Sequence, residues 1–153
     1  MMLRELFPDG RFASPAPVDQ LGMVERELGI SMPLQLRELY SECDGFREPT
    51  GNAQYLFPLV EEASDTSLLA VTRFWWFDWK KIVSPRIAVD FTPFVFFGSS
   101  SCDYVWGIRW NGPAEVIAYH HGMEDEYEVV GTVVLDIYRR DHETYGNRRQ
   151  SLT

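Results

Sequence analysis

The sequence is poor in residues that stabilise a fold through covalent or metal bonds. Among its 153 residues are two cysteines, Cys43 and Cys102, and three histidines. Cys43 lies on the inner face of a predicted helix, which favours a buried free thiol over a disulfide. The sequence therefore does not predict a disulfide-rich secreted domain, and it favours a cytoplasmic protein.

Long apolar segments are lacking as well. No run approaches the roughly 20 residues that a helix needs to span a bilayer. The N-terminus does not have the order of basic, apolar and small residues that is typical of a signal peptide. We expect neither export nor a membrane span.

Basic residues are outnumbered by acidic ones. The 14 Lys and Arg residues against 23 Asp and Glu residues give a formal net charge of −9. This charge opposes nonspecific binding to nucleic acid, whose phosphates dominate affinity, and docking on an anionic membrane. It favours a basic protein partner, which a negative field attracts over a distance. Solubility alone is the alternative explanation.

Motifs for catalysis or cofactor binding are missing. The sequence has no Gly-rich phosphate loop, no Cys-x-x-Cys pair and no dinucleotide fingerprint. His120 and Glu124, like His121 and Asp125, are four residues apart, but Gly122 and the strand-like segment before it argue against a helix there. The spacing therefore does not predict a metal site, and we expect no metal and no cofactor.

A small hydrolase is an alternative. His120, His121, Asp103 and Cys102 all lie near predicted strand ends, where they could converge. A nucleophile needs a base within hydrogen-bond reach and an oxyanion donor. The sequence places neither, and local hydrogen bonds in a turn are sufficient to explain the Ser and Asp residues at 99–103. We therefore expect a protein that is not an enzyme.

The composition is typical of one globular domain, with 45% hydrophobic and 24% charged residues. Residues 1–17 contain three prolines and two short apolar patches, and we expect an irregular, loosely packed lead-in. Residues 18–142 carry the regular patterns of a single domain. Residues 143–153 have the composition of a polar tail.

Apolar spacing predicts four helices. The first two span Val18–Leu28 and Pro33–Cys43, and Gly29 separates them. A third helix follows a cap at Asp65, Thr66 or Ser67, and a last one follows a cap at Thr132.

The third helix has more aromatic residues than one face can hold. Leu68, Val71, Trp75 and Trp79 form one helical stripe. Phe74, Trp76 and Phe77 lie outside it. Either this helix is buried on two sides, or some of these rings form an exposed apolar interface, which would suit a homodimer.

Alternating and β-branched patterns predict strands at Tyr55–Leu59, Phe94–Phe97, Tyr104–Trp110, Glu115–His120 and Tyr127–Val130. Asn111-Gly112 indicates a turn between two of them. The predicted class is α+β, with N-terminal helices and a C-terminal helix packed on a mainly antiparallel sheet.

The first helical pair resembles the opening motif of the SUKH superfamily, the Smi/Knr-type immunity domains. That motif is a helix with an embedded Glu, a Leu-Gly-hydrophobic turn, a hydrophobic-Pro pair and a helix ending in Asn-Gly. The matching residues are Glu25, Leu28, Gly29, Ile30, Met32, Pro33, Leu39, Tyr40 and Gly45. Asp44 replaces the usual Asn, a mild departure because both form turns.

Two later features extend the resemblance. The family's second signature is a strand, a turn rich in Gly and Asp, and a strand that begins with an aromatic residue. Phe94–Gly98, Ser99–Asp103 and Tyr104–Trp106 correspond, although this turn is rich in Ser instead of Gly. A strand that ends at Tyr119–His121, before an acidic segment and a C-terminal helix, corresponds to the third feature. The resemblance spans about Val18–Arg140.

The acidic segment is the candidate partner-binding site. Glu124, Asp125, Glu126 and Glu128 surround Tyr127 at one end of the predicted strands, and Asp103 lies in a neighbouring turn. Carboxylates around an aromatic side chain suit an interface with a basic protein, although a solvated loop is the alternative.

The resemblance implies a cytoplasmic bacterial immunity protein that neutralises a toxin domain, often a nuclease, by binding it. The same superfamily includes a fungal regulator of cell-wall synthesis that acts through protein contacts. An intracellular regulatory scaffold is therefore the second function that the resemblance implies.

Overall fold

The computed structural model describes residues 2–49, 53–60, 66–83, 89–123 and 125–146. Helices and two antiparallel sheets make up these residues, which confirms the α+β class. The elements are α1 (Met2–Leu6), β1 (Arg11–Phe12), α2 (Val18–Leu28), α3 (Leu34–Glu42), β2 (Phe46–Arg47), β3 (Gln54–Leu56), α4 (Leu68–Arg73), a π-helical turn (Phe74–Asp78), α5 (Trp79–Ile82), β4 (Phe94–Ser99), β5 (Val105–Arg109), β6 (Val116–Tyr119), a 3-10 turn (His121–Met123), β7 (Glu128–Gly131), α6 (Val134–Asp141) and a second π-helical turn (His142–Gly146).

The predicted helical pair is confirmed. Gly29 ends α2 in the left-handed conformation with φ 68°, which glycine adopts at little cost. Glu25 then stabilises the break between the helices. Its carboxylate accepts a hydrogen bond from the amide of Met32 at 2.8 Å and pairs with the guanidinium of Arg37 in α3. The Glu of the opening motif thus has a structural role.

The expectation of an irregular, loosely packed lead-in is wrong for residues 2–12. They form α1 and β1, and the side chains of Leu3 and Phe7 are buried. The Phe7 ring lies 5.3 Å from that of Phe46, and β1 pairs with β2. The elements are too short to produce a periodic pattern, and they form because the core covers their few apolar side chains.

Two sheets lie side by side. The small sheet has the order β1-β2-β3, and the main sheet has the order β4-β5-β6-β7. The amide of Phe57 donates to the carbonyl of Phe97 at 2.7 Å, which joins them. The approach is so close that a Cβ on Gly98 would lie 1.9 Å from the carbonyl oxygen of Tyr55. Only glycine fits at this position of β4.

Helical segments cover both faces of the main sheet. The ring of Trp75 packs on Tyr119 of β6 at 5.4 Å, and Tyr138 of α6 packs on Trp106 of β5 at 5.6 Å. Trp106 pairs with Ala118, the residue before Tyr119, so these two rings project to opposite faces. The sheet therefore lies in the centre of the core.

The third helix buries one face, and the second alternative holds in part, because Phe77 is exposed whereas Phe74 is half-buried and Trp76 is buried. Ser67 caps it by accepting a hydrogen bond from the amide of Ala70 at 3.0 Å. The buried residues of the segment are Leu68, Leu69, Thr72, Trp76 and Trp79. Of the expected stripe, Leu68 and Trp79 are buried, and Val71 and Trp75 are half-buried and pack against the core.

The expected cap of the last helix is also wrong. Thr132 lies before the helix, and Val133 is the capping position without a side-chain hydrogen bond of its own. Gln35 of α3 replaces that bond. Its amide group donates to the carbonyl of Thr132 at 2.7 Å and accepts from the amide of Val134 at 2.8 Å.

Among the described residues, no helix has the length and apolar character that a membrane crossing requires.

Candidate functional site

Most of the predicted partner-binding residues lie at one end of the main sheet. The turn after β4 holds Asp103. The pairing of Val105 with Tyr119, and of Ala118 with Glu128, brings that turn, the end of β6 and the start of β7 together. We call this surface the acidic end and define it as Asp103, Asp125, Glu126, Tyr127 and Glu128. Glu124 lies outside the described residues.

Ser100 builds the turn that presents Asp103. The Ser100 hydroxyl accepts hydrogen bonds from the amides of Cys102 and Tyr104, both at 3.1 Å. Asp103 adopts φ 64°, a left-handed conformation that Asp tolerates better than most residues. Its side chain is exposed, as are those of Asp125, Glu126 and Glu128. The four carboxylates therefore face solvent at the same end.

The Tyr127 side chain does not protrude from the acidic end. It is half-buried, and its ring packs on Phe94 at 5.4 Å and on Phe91 at 6.4 Å. The ring therefore holds the acidic segment against the sheet, and the contact area that it offers a partner is smaller than the sequence suggests.

A groove of about 450 Å³ lies beside the acidic end. The register places Trp106, Ala118 and Glu128 in one row across β5, β6 and β7, on the face that α6 covers. The small side chain of Ala118 leaves a depression between the indole and the carboxylate. The groove is completed by residues of the β4–β5 turn and of the C-terminal helical segment, including Tyr104, Cys102, Arg140, Asp141, Thr144 and Tyr145.

A buried hydrogen-bond network forms one wall of the groove. The carboxylate of Asp141 accepts hydrogen bonds from the Tyr55 hydroxyl at 2.5 Å, the Ser101 hydroxyl at 2.8 Å and the Ser101 amide at 3.2 Å. Burial, and then the bond to Asp141, raise the pKa of Tyr55 well above its ordinary value. Sequence reasoning missed Asp141 because its partners are distant along the chain.

His120 is the residue of the hydrolase alternative whose contacts the structure describes most fully. The His120 ring packs on Tyr104 at 4.7 Å, and its Nδ1 accepts the amide of Gly122 at 3.0 Å. In the part of the chain that the structure describes, no three His, Cys, Asp or Glu residues are placed to hold a metal ion. The His121 side chain is not among the described groups. Cys102 is exposed, and its hydrogen bond to Tyr145 raises the pKa of that tyrosine.

The predicted apolar interface is wrong for Trp76. That side chain is buried, and its indole donates to the carbonyl of Phe94 at 2.7 Å. Phe74 is half-buried and packs against the core. Phe77 is exposed over 55% of its surface and is the ring of the three that faces solvent most. One exposed ring is common on protein surfaces and does not by itself indicate a dimer.

No protein-family model matches the sequence, and no curated protein is significantly similar to it.

Proposed function

We propose that this chain is a non-enzymatic protein-binding domain that acts as an immunity protein and neutralises a basic bacterial toxin domain of the nuclease class. The observation that carries the proposal is the acidic end, where four exposed carboxylates from two separate segments lie together. Nucleases bind phosphate through basic clefts, and a surface of carboxylates is complementary to such a cleft.

The charge of the whole chain supports the same partner class. The formal net charge of −9 attracts a basic protein over a distance and accelerates association at low salt. The resemblance to the SUKH superfamily implies the biological setting, in which a toxin and its immunity protein meet in the bacterial cytoplasm. The half-buried Tyr127 and the turn built by Ser100 hold the carboxylates in a defined arrangement before binding, which limits the entropic cost.

Capture of the partner tests the proposal. The tagged chain is incubated with lysate of its native cells, and co-eluting proteins are identified by mass spectrometry at low and high salt. We expect one stoichiometric basic partner that dissociates more readily at high salt. Several signalling or envelope proteins instead would favour the regulatory scaffold.

The triple variant Asp103→Lys, Asp125→Lys and Glu126→Lys identifies the binding surface. We expect association with the captured partner to slow by roughly tenfold or more at low salt, with a smaller change in dissociation. A matched control reverses Asp9, Asp19 and Glu38, which are charged positions outside the acidic end. Equal slowing in both variants would show that net charge, and not this surface, controls association.

A further inference from the structure

The groove beside the acidic end combines groups that recognise a cation. Glu128 projects into it from β7, and Asp141 lines it from α6. Tyr104 and Tyr145 contribute aromatic rings, and Tyr145 keeps 38% of its surface exposed. Carboxylates beside aromatic faces bind the guanidinium of arginine through hydrogen bonds and cation–π contact.

The charged groups that face the groove leave one negative charge in excess. Arg140 also lines it, but the guanidinium donates to the carbonyl of Val130 at 2.7 Å. Within the described residues, Glu128 makes no ion pair. Glu128 and Asp141 against Arg140 give a formal charge of −1, so one further monocation would neutralise the groove.

The shape of the groove limits the size of the occupant. Trp106, Ala118 and Glu128 form a row in which the central side chain is a methyl group. A slender side chain can therefore lie along the floor, with its aliphatic part on the buried indole and its charged end at the carboxylate. Arginine has this shape, and its planar end can stack on a tyrosine ring.

We propose that this groove binds an arginine side chain of the partner and is the anchor of the interface. The inference rests on the proposed function for the identity of the partner, but the groove can be tested on the isolated protein. A central side chain in a pocket often contributes most of the energy of an interface, with polar groups around it. The acidic end would then be the charged rim around this anchor.

The test is an NMR titration of the ¹⁵N-labelled full chain with Nα-acetyl-L-arginine methylamide. We expect shifts concentrated at the amides of Trp106, Ala118 and Glu128 and at the Trp106 indole. The neutral analogue Nα-acetyl-L-citrulline methylamide has nearly the same shape and should bind at least about fivefold more weakly. Equal shifts with both compounds, or shifts spread evenly over the acidic surface, would overturn the inference.

Two variants separate the groove from the general negative charge. Glu128→Gln should weaken arginine binding by about fivefold, whereas Glu38→Gln, outside both the groove lining and the acidic end, should leave it unchanged. A captured partner that binds Glu128→Gln as tightly as wild type would contradict the anchor and leave the proposed function intact. Absence of any toxin partner would contradict the proposed function, while the titration would still decide whether the groove binds arginine.

Discussion

The hydroxyl of Tyr55 donates to the carboxylate of Asp141 at 2.5 Å, although 86 residues separate the two along the chain. The bond connects β3 of the small sheet to the end of α6. The Tyr55 ring also stacks on that of Tyr138, with ring centroids 4.9 Å apart. This contact holds the C-terminal helical segment over the main sheet and thereby forms one wall of the groove.

Removal of the Tyr55 hydroxyl should destabilise the fold. In Tyr55→Phe the buried Asp141 keeps only the two hydrogen bonds from Ser101, and we expect a loss of about 2 kcal/mol in the free energy of unfolding. Tyr127→Phe is the matched control, because within the described residues no hydrogen bond of its hydroxyl is seen; its change should stay within about 0.5 kcal/mol. Urea denaturation measures both. Equal stability of Tyr55→Phe and wild type would refute the role of this bond.

Gly98 should not tolerate a side chain. In Gly98→Ala the new Cβ would lie 1.9 Å from the Tyr55 carbonyl oxygen, a backbone atom, so β3 and β4 would have to separate. We expect a loss of about 3 kcal/mol. Gly22→Ala is the control, because its Cβ would meet only the end of the Arg26 side chain at 3.5 Å. Gly22 lies inside α2, and its replacement should stabilise the chain by about 1 kcal/mol. Thermal melting of the two variants should therefore shift in opposite directions.

Gln35 lies in α3, but its side chain should stabilise the start of α6. Gln35→Ala removes both hydrogen bonds to the start of α6, with an expected cost of about 1–2 kcal/mol. Gln35→Glu keeps the acceptor for the Val134 amide and loses the donor to Thr132, so its stability should lie between those of Gln35→Ala and wild type. Urea denaturation of the three proteins gives the order, and Gln35→Glu at or below the level of Gln35→Ala would contradict it.

Stability should depend on the Cys43 thiol at alkaline pH. Burial, and then the nearby Glu42, raise the pKa of Cys43 from 9.0 to about 11. The unfolded thiol ionises near pH 9 while the folded one remains protonated, so this stabilisation is complete below pH 9 and is lost as the pH rises to about 11. Burial is the largest cause of the raised pKa of Tyr40 and Tyr138, and the charge of Cys43 is a smaller one, so the larger part of their effect is the same in wild type and in Cys43→Ala.

Urea denaturation across that range measures the difference. We expect the stability of wild type to fall more steeply with pH than that of Cys43→Ala. Cys102→Ala removes the exposed cysteine and its hydrogen bond to the exposed Tyr145, and its curve should lie closer to that of wild type than the curve of Cys43→Ala does. Parallel curves for wild type and Cys43→Ala would show that the buried thiol does not contribute.

Sequence patterns correctly predicted the elements whose stabilising interactions lie within the segment itself. The bounds of α2 and the break at Gly29 were predicted because helical spacing and a left-handed glycine are properties of the segment itself. The strands of the main sheet were found for the same reason. Their order in the sheet agrees with simple antiparallel connections between neighbours along the chain.

Long-range contacts explain the predictions that were wrong. Thr72 is polar and lies outside the predicted stripe of the third helix, yet it is buried, and its hydroxyl accepts a hydrogen bond from the amide of Phe96 on β4 at 3.0 Å. Gln35 replaces the expected cap at Thr132 from 97 residues away. The candidate site also has one part that a local pattern predicted and one part that depends on long-range contacts. The residues of the acidic end were predicted from one charged segment and one turn. The groove was missed because Asp141 and Tyr145 belong to the C-terminal helical segment, which carries no recognisable binding or catalytic motif.

Protection of growing cells is the most direct test of the central claim. The captured basic partner is produced from an inducible promoter in a bacterial host, with or without this chain. We expect the partner alone to stop growth, wild type to restore it, and the variant Asp103→Lys, Asp125→Lys and Glu126→Lys to restore it poorly at an equal protein level. A partner that is harmless alone, or cells that die equally with and without this chain, would contradict the immunity function.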